Sequence, residues 1–163
     1  MAERRSPLGG AADRLAAVAD ATGGAVTVAE VPFLTQLSVR VFPAVLPSGD
    51  VSVLQLGPDE WLTVGPPGGA TELAGLSVVD VSAQRTTVAV GGSRVLDLLA
   101  MGCALDLHPR VFRVGDCAQT TMAHAPVVIW RREAGYSILV RASFAAHLAE
   151  WLLDAAQEFT DGD

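Results

Sequence analysis

Leu15, Val18 and Ala19 recur at helical spacing through GGAADRLAAVADATGG, and Gly23-Gly24 closes the run, which predicts a short helix with little apolar anchorage. From there the period changes. AVTVAEV reads as a strand, Leu37, Val39 and Val41 alternate with polar residues in LTQLSVRVF, and Val51, Val53 and Leu56 suggest a further extended piece after a turn at Pro47-Ser48-Gly49-Asp50. Trp61 to Val64 reads as a short strand between two breaks. SVVDVS and TTVAVGG follow as strands joined by a tight SAQR connection.

SRVLDLLAMG then returns to the helical period, with Ser93 placed to cap it, Val95, Leu96, Leu98 and Leu99 on the buried side, and Gly102 suited to close it. Beyond the connection from Met101 to Thr120 lie three β-rich segments, AQTTMA, PVVIWR and YSILVR, the last two joined across REAG. The apolar run in PVVIWR predicts a strand buried on both faces. The closing helix places Phe144, Leu148, Trp151, Leu152, Ala155 and Phe159 on one face, His147, Glu150, Asp154 and Glu158 on the other, with Ser143 as its cap. This order of elements predicts an α+β domain, a mainly antiparallel sheet with packed helices.

The length fits a single domain over 1–163, divided into a weakly anchored helical segment (1–24), an α+β core (25–159) and a tail (160–163). Half of the residues are apolar and 18% are charged, a composition that can fill a core and leave surface to bury elsewhere. A net charge of −7 argues against nucleic acid and anionic membranes as partners. All 11 basic residues are arginine, so no lysine is present to form a Schiff base. Without an apolar stretch behind MAERRSPLGG or any run long enough to span a bilayer, the chain reads as soluble and cytoplasmic, its two cysteines reduced.

Candidate chemistry centres on MGCALDLHPRVFRVGDCAQT, which holds both cysteines and His108. Zinc would want four ligands in closely spaced pairs, whereas Cys103 and Cys117 are far apart in sequence and His124 and His147 sit on other elements. A Cys/His nucleophilic pair needs an activated thiolate and a third orienting group. VGGSR lacks the spacing of a phosphate-binding loop, so it reads as a turn and helix cap. Asp80 and Ser82 fall on one side of a strand end, where local backbone bonding is the ordinary role. His147 and Glu150 read as a solvated pair, and His124 as a strand-end residue. Trp61, Trp130 and Trp151 are spread over three elements as core or interface anchors.

The sequence therefore offers no catalytic, cofactor-binding or metal-binding set. It offers instead a connection with much apolar content, in which Pro109 extends His108 and Gly115 permits a turn. Such a loop is pinned either to its own core or to another subunit. Leu107, His108, Pro109, Arg110 and Phe112 are the candidate interface residues.

GCALDLHPRVFRVGDCAQT, together with LGPDEWLTV, VVIWRR and SFAAHLAEWL, resembles the gamma subunit family of heterotetrameric sarcosine oxidase. Met101 departs from the basic residue expected at the junction of helix and loop. The resemblance implies a structural subunit without its own cofactor, assembled with alpha, beta and delta chains. In that family the alpha chain is implied to hold NAD and the folate-binding region, the beta chain FAD and covalent FMN, and the delta chain zinc. The implied reaction is oxidation of sarcosine to glycine with H2O2 formation and transfer of a one-carbon unit to tetrahydrofolate.

More widely, VVDVSAQRTTVAVGGSRVLDLLA is similar to the first, folate-binding domain of the T-protein (aminomethyltransferase) family, which implies that fold. Where that family implies a folate-contacting carboxylate ahead of the strand, this chain has Ala125 and Pro126, so no folate site carries over. The alternatives are a free-standing folate-binding aminomethyltransferase-like protein and a small-ligand regulatory module.

Overall fold

The computed structural model describes residues 4–40, 50–73 and 75–160. Its elements run α1 (Ala12–Ala16), α2 (Val18–Ala21), β1 (Thr27–Val31), β2 (Thr35–Val39), β3 (Ser52–Gln55), β4 (Trp61–Gly65), β5 (Val78–Asp80), β6 (Arg85–Gly91), α3 (Val95–Ala100), β7 (Cys117–Met122), β8 (Ala125–Arg132), β9 (Gly135–Arg141) and α4 (Ala142–Ala155), closed by a 3-10 turn at Ala156–Phe159. The strands form a five-stranded sheet in the order β1-β6-β9-β8-β7 and a four-stranded sheet in the order β3-β4-β2-β5. Every pairing is antiparallel. The α+β class is that expected from the element order, with the strands divided between two sheets.

Side-chain alternation along β8 explains the layering. Ala125, Val127 and Ile129 point to a core shared with Leu148 and Leu152 of α4, while Val128 and Trp130 point to a second core shared with Leu54, Leu62 and Val64 of the smaller sheet. Helices and the small sheet thus cover opposite faces of the large one. Each fully buried leucine in these layers contributes about 1.5–3 kcal/mol through removal from water.

The segments SVVDVS and TTVAVGG are strands joined by a turn, as their pattern suggests, but they are not paired. β5 joins β2 in the small sheet and β6 joins β1 and β9 in the large one, so this turn carries the chain between layers. The expected turn at residues 47–49, and Val41, lie outside the described residues.

The N-terminal segment is seated more firmly than its Ala-rich composition suggests. Leu8, Leu15 and Val18 enter the main core, Ser6 donates to the Glu30 carboxylate, and Arg14 makes a two-armed pair with Glu150 at 2.6 and 2.9 Å. Leu8 is the missed anchor, standing ahead of the helical period.

Both expected serine caps are displaced. Arg94 and Arg141 occupy the N-cap positions and neither makes a side-chain capping bond. Gly102 does not adopt the left-handed backbone of a helix terminator. Its need for glycine is steric, since a Cβ there would stand 2.6 Å from the Trp151 ring. On α4 the buried face is Ala145, Leu148, Ala149, Leu152 and Ala155, with Phe144 in the first turn left 37% exposed.

Candidate functional site

The connection from α3 to β7 is irregular, yet almost every turn of it is fastened. Cys103 N donates to Leu99 O at 2.9 Å, continuing the helix by one turn. Asp106 then accepts the His108 N–H at 2.9 Å in an Asx turn, and the His108 carbonyl accepts from both Val111 and Phe112 at 2.9 Å. His108 Nδ1 accepts from Arg110 N at 3.2 Å, which places its ring proton on Nε2 when the imidazole is neutral.

Asp116 does the same work at the far end. Its carboxylate accepts from Arg113 N at 2.7 Å, and its backbone exchanges with Arg131, Arg131 N donating to Asp116 O at 2.9 Å and Gly115 N to Arg131 O at 3.0 Å. Gly115 reaches this geometry with a φ of +95°, open to glycine at little cost. The two aspartates of the stretch are thus occupied in shaping backbone.

The loop has two faces. Leu107 and Phe112 turn inward and are buried, Phe112 stacking on Tyr136 at a centroid distance of 6.4 Å. His108, Pro109 and Arg110 are exposed, and beside them Val111 and Val114 are 62% and 57% exposed. Of the five candidate interface residues, two therefore hold the loop to its own core and three face outward. Sequence spacing missed Val114 and left the direction of Val111 open, because nothing local distinguishes an apolar residue facing solvent from one facing the core.

The structure separates the candidate metal or nucleophile set. Cys103 is buried beside the Thr120 hydroxyl, Cys117 Sγ donates to Gln55 O at 3.4 Å, and His108 lies on the outer loop. Burial, aided by the charge of Asp116, holds the Cys117 thiol above its ordinary pKa even though its bond to Gln55 opposes this. Among the described residues no group of three His, Cys, Asp or Glu side chains converges as a metal site.

The remaining candidates are absorbed locally. Asp80 accepts from Ser82 N and Oγ at 2.9 and 2.6 Å, which lowers its pKa, and Ser82 Oγ receives Gln36 N at 2.9 Å to bind the β5 end to β2. In VGGSR, Arg94 N donates to Ala25 O at 2.8 Å, and a Cβ on Gly92 would meet the same carbonyl at 2.4 Å. That turn is closed against backbone. His147 is bonded through Nε2 to Ala123 O at 2.7 Å, and Glu150 pairs with Arg14 instead. His124 lies in the two-residue turn between β7 and β8.

A concave region that the sequence does not reveal lies where the two sheets diverge. The cleft is about 950 Å3, floored by Ala29, Thr87, Ala89 and Ser137 and lined also by Trp130 and Arg131. Small residues at these inner-face positions leave the space that Val128 and Leu139 fill elsewhere.

Comparison with known proteins gives one consistent answer. The chain matches the sarcosine oxidase, gamma subunit family over residues 16–158. It is similar to sarcosine oxidase subunit gamma of Corynebacterium sp. (strain P-1), 37% identical with 96% of this chain and 91% of that one covered. The corresponding subunit of Arthrobacter sp. is 35% identical over the same shares of the two chains, 96% and 91%. Among solved structures, a chain of heterotetrameric sarcosine oxidase from Corynebacterium sp. U-96, in complex with pyrrole 2-carboxylate, superposes with a TM-score of 0.84 at 36% identity, covering 98% of each chain.

Proposed function

The chain belongs to the sarcosine oxidase gamma subunit family, and on that premise we propose that it is the non-catalytic gamma subunit of a heterotetrameric sarcosine oxidase. The observation that carries this reading is full-length correspondence, 98% of each chain, with a chain of such a complex. A freely acting enzyme of the aminomethyltransferase type would need a site that the residues do not supply. Ala125 and Pro126 stand where a folate-contacting carboxylate is implied, and Cys103, His108 and Cys117 are held apart.

Cofactor chemistry then resides in the companions: NAD and the folate-binding region in the alpha chain, FAD and covalent FMN in the beta chain, zinc in the delta chain. Together they oxidise sarcosine to glycine, form H2O2 and pass the one-carbon unit to tetrahydrofolate in the cytoplasm. In this reading the fold is that of the T-protein folate-binding domain put to scaffolding use. Docking uses the outer face of the loop, His108, Pro109 and Arg110 with Val111, because the inner residues Leu107 and Phe112 already fix its shape.

Calorimetric titration of the isolated chain with tetrahydrofolate tests the assignment. No binding heat and no sarcosine turnover are expected; micromolar binding or turnover by the lone chain would establish the aminomethyltransferase alternative.

A further inference from the structure

Along β6 and β9 the face turned to the small sheet runs from Ala89 opposite Ser137, through Thr87 opposite Leu139, to Arg85 opposite Arg141. Like charges directly across an antiparallel pair destabilise it. Among the described residues, neither guanidinium is in an ion pair, whereas nearby Arg40 pairs with Asp59 and Glu60 at 3.6 Å. Burial first, and then the charge of Arg141, holds the Arg85 pKa below its ordinary value, offset in part by the charge of Glu60.

These arginines line a depression of about 380 Å3. Trp61 lines it too, and its buried Nε1–H has no acceptor among the described residues. At the rim is Val79, 62% exposed on the edge strand β5. Glu60 and Arg40 line it as well but are paired with each other, so among the described residues the depression combines two arginines outside any ion pair, an orphan donor and a bare apolar side chain in a protein whose net charge is −7.

We infer that this depression is a docking site for an acidic side chain, aspartate or glutamate, of a partner subunit, whose carboxylate sits between Arg85 and Arg141. The inference rests on the gamma-subunit reading above. Charge complementarity selects the carboxylate, which would relieve the repulsion between the two arginines. A protein partner is favoured over a free anion because Trp and Arg beside an exposed Val on an open strand edge is the composition of an interface anchor. Leu56 and Trp61 also line a second depression, which reaches Phe112 and Asp116 in the connection from α3 to β7.

The test co-produces the tagged full chain with the larger subunits and measures reconstitution affinity and its salt dependence for wild type, Arg141→Glu, Arg85→Gln, Arg141→Lys and the exposed control Arg5→Glu. Arg141→Glu and Arg85→Gln are expected to weaken assembly about thirtyfold or more, the loss typical of breaking a buried charge pair. Arg141→Lys should recover much of the affinity and Arg5→Glu should match wild type. Circular dichroism of each variant separates lost docking from lost folding, and Arg141, exposed at a strand end, is the variant least exposed to that ambiguity. Assembly of both Arg141→Glu and Arg85→Gln with wild-type affinity would overturn the inference while leaving the gamma-subunit reading intact. Failure of the wild type to assemble would overturn both. Stabilisation of the isolated chain by millimolar sodium malonate, lost in Arg141→Glu, would mark a small-anion site and overturn the partner assignment.

Discussion

The buried hydroxyl of Tyr136 donates a 2.7 Å hydrogen bond to the backbone carbonyl of Leu107, joining the start of β9 to the α3–β7 loop 29 residues upstream. The same ring is stacked by Phe112 on the loop and lies 4.6 Å from the Arg131 guanidinium. The loop is therefore shaped before any partner arrives. Tyr136→Phe keeps the stacking and removes the bond, leaving a buried carbonyl unpaired at a cost of about 1–3 kcal/mol. Urea unfolding should show that loss, and amide exchange at Val111 and Phe112 should quicken; unchanged exchange would mean the loop is held by other contacts.

Gly102 sets the distance between α3 and α4. A methyl group there meets the Trp151 ring at 2.6 Å and Met122 Sδ at 3.1 Å. Gly102→Ala is expected to destabilise the chain by about 1–3 kcal/mol through overpacking. Trp151→Phe in the same background should recover part of the thermal midpoint, since the smaller ring vacates the contact.

The β7–β8 turn places two non-glycine residues in left-handed backbone, Ala123 with φ 49° and His124 with φ 68°. A two-residue hairpin turn of this kind prefers Asn-Gly. Its tip is clamped instead by Ala123 N to Gly102 O at 3.0 Å and by His147 on Ala123 O. His124→Gly should raise stability by up to about 1 kcal/mol by relieving the left-handed penalty, and His147→Ala should lower it by about 1 kcal/mol by removing the clamp. Chemical denaturation of the two variants checks both signs.

The thiols should be unreactive in the folded chain. Cys103 is buried, and burial favours the neutral form of Cys117. Because the folded pKa of Cys117 is raised, its contribution to stability is complete below the unfolded thiol's pKa and is lost as pH rises through the folded value. Iodoacetamide near neutral pH should label neither cysteine rapidly until denaturant is added; prompt labelling of Cys117 would show that its surroundings open readily.

Periodicity carried much of the architecture. The uninterrupted apolar run of β8 announced burial on both faces, and the spacing of Leu148, Leu152 and Ala155 announced α4. What remained hidden depends on pairing between distant segments. Leu107 and Phe112 face inward because Tyr136 arrives from β9, and Val111 faces outward for want of such a partner. Arg85 and Arg141 oppose each other only through the register of β6 on β9, which no local pattern encodes. Ser93 and Ser143 suit capping by composition, but the N-cap of α3 falls one residue after Ser93 and that of α4 two residues before Ser143. The family resemblance was legible because loop-fastening residues such as Asp106, His108 and Asp116 fall within the very stretch that carries it.

The gamma-subunit reading is tested most directly by affinity purification of the tagged full chain co-produced with the larger subunits, followed by subunit sizing and an absorption spectrum. A stoichiometric, flavin-coloured assembly containing the chain is expected, while the chain produced alone is colourless and inactive. A soluble, monodisperse monomer that ignores those subunits, or a lone chain that retains flavin or pterin through purification, would contradict it.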